Sequence, residues 1–284
     1  MEIDMKTRII TGVVAFLILV PFLIFAHTPA YTVLAAILGL IGVFEMLRCQ
    51  KLAKNLKLLI PTLTYAILVP VIGRHLSMGH DFMTVFTALT SLYMLVCFAM
   101  AVFSKGKIEF VPTAAAVASC VYVVLGFSCL LVLRDWSFGG YLFLLPFLSA
   151  WVSDTAAYFT GRAFGKNKLI PDVSPNKTVE GAIGGLVVTA IFMLVYGCIV
   201  RFALGVGVNL IGLFLLGVAL SAVSMVGDLI ASLIKRHYNI KDYSHIFPGH
   251  GGVLDRFDSV LATAPMTFIV ITVFTRSPLF FELL

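Results

Sequence analysis

The sequence predicts an all-α polytopic membrane protein of about nine transmembrane helices, and three observations predict it. Hydrophobic residues make up 60% of the 284 positions and charged residues only 12%, against about a quarter charged in a soluble domain. Mean hydropathy is +1.05. The apolar residues come in long runs; at about 20 residues per crossing, nine crossings take roughly 180 residues, close to the hydrophobic share. These observations exclude a soluble globular enzyme, a disordered tail and a nucleic-acid module. The net charge of +6 arises from basic residues placed between apolar runs rather than gathered on one soluble face.

The expected spans, in order, are 9–26, 31–47, 58–73, 82–103, 111–133, 139–160, 178–200, 207–234 and 256–275. Lys6 and Arg8 precede the first run, as in a signal peptide, but the run is longer than a usual signal core and no small-x-small cleavage site follows, so it reads as a retained helix. The breaks between later runs carry charges, Gly and Pro, which end helices. Cys49, Cys97, Cys120, Cys129 and Cys198 lie in or beside apolar runs without a CxxC pair, which points to helix packing rather than disulfides or zinc. The chain reads as one integral-membrane domain over 1–284, with 1–138 a helical scaffold and lipid groove and 139–276 the catalytic helices and loops.

With these spans and a cytoplasmic N-terminus, 16 of the 20 Lys and Arg residues fall on the cytoplasmic side and only Arg74, Arg134, Arg201 and Arg276 on the other. The excess of basic residues inside predicts N-in, C-out, and the pattern depends on an odd number of spans. The informative polar residues gather on that side, in 153–181 and 227–259. A transporter spreads polar groups along a path at mid-membrane. Gathering at one face favours a reaction between a water-soluble reagent and a lipid headgroup.

In the later stretch, Asp228, Ser232 and Lys235 are spaced i, i+4, i+7 and form one helical stripe. An Asp inside an apolar helix costs about 2.5–3.5 kcal/mol, so it needs a partner; Lys235 and Arg256 are the candidates for a purely structural ion pair. Glycines around His250 let the loop turn tightly, and consecutive backbone N–H groups there form an anion nest. Asp255, Asp258 and Ser259 then share a face of the next helix. Two helices joined by this loop can return Asp255 beside Asp228, and such hard oxygen ligands suit Mg²⁺.

The run Ser232-Leu233-Ile234-Lys235-Arg236, then Lys241-Asp242, then Pro248-Gly249-His250-Gly251-Gly252-Val253-Leu254-Asp255-Arg256-Phe257-Asp258 resembles the signature of phosphatidate cytidylyltransferases (CDP-diacylglycerol synthases). The earlier stretch resembles the same family. Asp154 and Tyr158 are i, i+4 and face one cavity; Lys166, Lys168 and Lys177 supply cations for a triphosphate; Ser174 and Thr178 suit the start of a helix, where anions are favoured. Asn176 stands where the family pattern has the first lysine of a pair, so one cation is missing and Lys177 carries the charge. Gly181 and Gly185, four apart, suit close helix packing. Glu45, at the cytoplasmic end of the second span, reads as an outer contact of the site or, preferably, as a partner of the basic loop after it.

The resemblance implies that CTP and phosphatidate give CDP-diacylglycerol and pyrophosphate in the bacterial plasma (inner) membrane, with the active site facing the cytoplasm. The lipid phosphate is ionised at neutral pH and needs no strong base, so catalysis falls to positioning and charge neutralisation. On this reading Asp228, Lys235, Asp255 and Arg256 are catalytic, and Asp228 and Asp255, with Asp258 as a weaker candidate, hold Mg²⁺. Ser232 and Arg236 contact phosphates alongside Lys235 and Arg256; Lys166, Lys177 and Thr178 support the triphosphate; Asp154 orders these cations or meets a second, monovalent one. His250 and Gly251 are loop or phosphate contacts rather than proton carriers. The resemblance also implies a homodimer and no nucleic-acid partner.

Overall fold

The computed structural model describes residues 20, 23–77, 82–136, 138–274 and 281–283. Among these, eight helical segments are long and apolar enough to cross a membrane. They are α1 (Pro29–Cys49), α2 (Leu56–Ser77), α3 (Phe82–Phe103), α4 (Phe110–Asp135), the short α5 (Gly139–Leu142) continued by α6 (Leu144–Phe164), α7 (Val179–Leu204), α8 (Leu210–His237) and α9 (Leu254–Phe274). Each coincides, within a few residues, with an expected span from the second onward. The expected first span at 9–26 lies largely outside the described residues, as do Lys6, Arg8 and Arg276. The chain is an integral membrane protein.

Two short antiparallel ladders add to the helices. β1 (Lys168–Ile170) pairs with β2 (Ser174–Thr178), and β3 (Val206–Val208) pairs with β4 (Phe281–Leu283). The first forms because Pro171-Asp172-Val173 reverses the chain, with Val173 N–H donating to Ile170 O at 3.3 Å, in a segment too short and polar for a helix.

The chain divides into two compact units. The first comprises Met1–Gly139 and Lys235–Phe257. Its helices α1 to α4 bury Leu47, Phe127, Leu131 and Leu133, among others. Near the start of α1 and the ends of α2 and α4, Arg74 gathers the chain: it donates to both carboxylate oxygens of Asp135 (2.7 and 2.8 Å), to Thr32 Oγ1 (2.7 Å) and to the carbonyls of Thr28 and Ala26 (3.2 and 3.1 Å). A guanidinium with five donors suits helix ends, where carbonyls lack intrahelical partners. Pro61 and Pro70 lie inside α2 without ending it, as neighbouring helices permit in membrane proteins.

The second unit comprises Gly140–Ile234 and Asp258–Leu284. Its helices approach through small residues. A Cβ on Gly181 would lie 2.7 Å from Ala157 O, one on Gly217 3.0 Å from Ala190 Cα, and one on Gly227 2.8 Å from Asp258 O. In a membrane, such close backbone approach supplies the packing that the hydrophobic effect cannot. Gly185 also lies against α6, so the expected role of the Gly181–Gly185 spacing is met. The buried hydroxyls of Ser153 and Ser221 meet at 2.8 Å and join α6 to α8. The five cysteines are free, four of them buried, as packing residues are.

Candidate active site

The second unit contains a cavity of about 500 Å³, within the range of small-molecule sites. Asp154, Tyr158 and Arg162 reach it from α6, Asn176, Lys177 and Thr178 from β2, Gly181 from α7, and Met225 and Asp228 from α8. Local chemistry explains this placement. Thr178 caps α7, its hydroxyl accepting from Gly181 N–H at 3.1 Å. Glu180 reaches back to the backbone N–H groups of Lys166 (3.1 Å) and Asn167 (3.2 Å) and to the Asn167 amide (2.8 Å), which ties the hairpin onto the helix start. Ser174, the other expected cap, lies in β2. Arg162 donates to the Tyr158 hydroxyl at 3.1 Å.

Asp228 is paired with Lys177 at 2.5 Å, their side chains 28% and 24% exposed. Neither sequence-based partner, Lys235 or Arg256, takes that place. Lys177 comes from β2, 51 positions away along the chain, a proximity that helical periodicity cannot reveal. Asp154 accepts from Ser259 Oγ at 3.3 Å, and the Asp258 carboxylate accepts from Ser259 N–H at 2.8 Å. Lys166 is exposed, and Ser232 is half-buried on α8. Among the described residues, no three His, Cys, Asp or Glu side chains group as a metal cluster. Two carboxylates lining a cavity nevertheless match the donor set for Mg²⁺, which takes one or two carboxylates and completes its shell with water and phosphate.

The first unit holds the remaining residues in a different arrangement. Asp255, its side chain 3% exposed, accepts three hydrogen bonds: from Lys235 Nζ to Oδ1 at 2.8 Å, and from Tyr243 N–H and Gly252 N–H to Oδ2 at 2.8 and 2.9 Å. The Lys235 ammonium also lies 5.5 Å from the Tyr243 ring centre. Phe247 N–H donates to Gly251 O at 2.9 Å and His250 N–H to Phe247 O at 2.8 Å, a tight turn made possible by Gly249 (φ +79°) and Gly251 (φ +83°). His250 is half-buried; Arg236 and Arg256 are exposed. Asp228 belongs to the second unit and Asp255 to the first.

Two expectations need correction. The backbone N–H groups of Gly252, Val253 and Leu254 do face anions, but these are carboxylates of the chain itself, Asp255 and Glu45. Glu45 is not a partner of the basic loop that follows α1. It is 1% exposed and accepts from Ser244 Oγ (2.5 Å), Val253 N–H (3.0 Å) and Leu254 N–H (2.9 Å). The physical reason is the start of α9, whose first N–H groups lack intrahelical acceptors and draw a buried carboxylate. The available sequence signal was a carboxylate inside an apolar run, which needs a partner; Arg48 nearby is a local distraction.

A family model described as "Cytidylyltransferase family" matches residues 6–274. A phosphatidate cytidylyltransferase of Staphylococcus haemolyticus is 35% identical over 268 residues, covering 94% of this chain and 99% of that protein. One from Bacillus subtilis is 32% identical over 278 residues, covering 96% and 100%. One from Staphylococcus saprophyticus reaches 42% over 170 residues, 60% of this chain and 63% of that protein.

Proposed function

The chain belongs to the cytidylyltransferase family, and we propose that it transfers the cytidylyl group of CTP to phosphatidate, giving CDP-diacylglycerol and pyrophosphate. The observation that carries this reading is the end-to-end match to the Bacillus subtilis phosphatidate cytidylyltransferase. The charged cavity among apolar helices supports it: a soluble polyanion and a lipid headgroup can meet there while acyl chains stay in the bilayer.

A phosphatidate oxygen attacks the α-phosphorus of CTP. The new P–O bond forms as the bond to the β-phosphate oxygen breaks, and pyrophosphate leaves with that electron pair. No proton must be removed from the nucleophile. The chain's task is to hold several anions together. Lys177 and Arg162 in the cavity neutralise the triphosphate, and Thr178 at the start of α7 adds the favourable field of a helix N-terminus. Lys166, exposed just before β1, adds positive charge, Ser232, Lys235, Arg236 and Arg256 serve the phosphates, and the His250–Gly251 turn shapes the loop that leads into α9, where Arg256 stands. Mg²⁺, when bound, supplies charge neutralisation and a template for the phosphates. Asp228 is its first candidate holder, with Asp154 and Asp258 in the same unit. At Asp255 an ion would compete with Lys235 for Oδ1.

The same reading places the N-terminus and the active site on the cytoplasmic side of a bacterial plasma membrane and joins two copies as a homodimer. The test is pyrophosphate release by purified protein in mixed micelles with CTP. Release that requires both phosphatidate and Mg²⁺, stops with a chelator and is lost in Asp228→Asn supports the reading. Release that ignores phosphatidate, or a folded Asp228→Asn of full activity, refutes the substrate or the metal holder respectively.

A further inference from the structure

The loop between α8 and α9 is pinched at its neck by two carboxylates. Asp255 Oδ2 accepts from Tyr243 N–H on one side and Gly252 N–H on the other. Glu45 Oε1 repeats the pattern one residue further along, accepting from Ser244 Oγ and from Val253 N–H, while Oε2 takes Leu254 N–H. Asp255 acts from the first turn of α9, directly after the loop. Glu45 acts from α1, 199 positions from Ser244.

We propose that Glu45 is a positioning residue for the cytidylyl transfer: it fixes the backbone from which Asp255 and Arg256 project. This rests on the activity proposed above. A carboxyl side chain that is 1% exposed in a membrane helix is costly, and such residues serve function unless a partner accounts for them. Glu45 has no basic partner among its hydrogen bonds; its acceptors serve one hydroxyl and two N–H groups at a helix start. An ordinary Ser or Asp cap would serve that helix locally. Glu45 instead locks the two strands of the loop's neck to α1. The fit leaves no slack: a Cβ on Gly252 would collide with Glu45 Oε1 and stand 2.6 Å from Ser244 Oγ, and one on Gly42, three residues before Glu45, would stand 3.1 Å from Leu254 Cδ2. Asp255 lies two positions beyond the Val253 anchor, so a shift of the backbone there moves the carboxylate that holds Lys235.

The experiment compares Glu45→Gln, Ser244→Ala, their double variant and Arg74→Ala with the unmutated protein in mixed micelles. It measures kcat, KM for CTP and the thermal midpoint. Arg74 is a control of the same unit, tying helix ends without touching the loop. The amide of Glu45→Gln keeps the shape but turns an NH₂ toward one of the three donors. A misplacement of this kind lowers kcat by about 10- to 100-fold, with KM for CTP little changed. Ser244→Ala lowers kcat less, and the double variant falls no further than Glu45→Gln because both act on one contact. Arg74→Ala lowers the midpoint while keeping kcat. Full kcat in Glu45→Gln, or a loss in Arg74→Ala that tracks its midpoint as steeply as in Glu45→Gln, overturns the proposal. If Glu45→Gln does not accumulate, Ser244→Ala decides alone: an unchanged kcat overturns the role. Absence of phosphatidate-dependent release from the unmutated protein overturns the activity itself, a different result from normal release with an unimpaired Glu45→Gln.

Discussion

Replacing Asp255 by Asn separates what this carboxylate does for the fold from what it does for turnover. The Lys235–Asp255 pair spans 2.8 Å with side chains 13% and 3% exposed. At an effective dielectric of about 20, charges about 4 Å apart attract by about 4 kcal/mol. The asparagine removes that attraction and leaves the ammonium uncompensated. It also presents an NH₂ group to donors that previously met a carboxylate, so at least one of the Lys235, Tyr243 or Gly252 donors loses its acceptor. Breaking one side of a buried pair costs about 3–5 kcal/mol, which lowers the thermal midpoint in detergent by roughly 10 °C. Adding Lys235→Met removes the orphaned charge, so the double variant recovers much of the midpoint while pyrophosphate release stays lost. A single Asp255→Asn variant as stable as the unmutated protein, or a double variant less stable than either single one, refutes the reasoning that the pair is buried and mutually compensated.

Lys177→Met has the opposite profile. Its pair with Asp228 is about a quarter exposed on each side, and such pairs contribute only about 0–1 kcal/mol, so the midpoint hardly moves. KM for CTP rises roughly 10- to 100-fold, because a hydrogen bond to a charged group contributes about 1.5–3 kcal/mol. Thr178→Ala removes the cap of α7 and costs about 1 kcal/mol, visible as a lower midpoint, whereas Thr178→Ser restores it. Amine-reactive labelling followed by mass spectrometry finds Lys177 modified in the free protein and protected by CTP, while Lys235 stays unmodified in both; protection of neither lysine by CTP contradicts the cavity as the nucleotide site.

Apolar runs located the helices from α1 to α9 because the bilayer imposes length and composition on each crossing independently of its neighbours. Glycine spacing foretold a close helix approach along α7, without its partner α6, for the same reason: the constraint is local to one helix face. The β1–β2 hairpin escaped, since its strands carry Lys168, Asn176 and Lys177 rather than an alternating apolar pattern, and Glu180 orders them through backbone N–H groups that no side-chain pattern displays. Site residues emerged from the sequence as a collection, without their pairing. Lys177 with Asp228 and Glu45 with Val253 and Leu254 are contacts across 51 and more than 200 positions, which periodicity along one helix does not encode.

The two lysine–carboxylate pairs also divide the chemistry by burial. Both satisfy the same demand, that a carboxylate among apolar helices carry a partner. Separating Lys177 from Asp228 costs little, since about a quarter of each side chain is open to water. Separating Lys235 from Asp255 strands two charges where water scarcely reaches, unless the incoming group compensates both at once. A lone phosphate or a lone cation does not meet that condition.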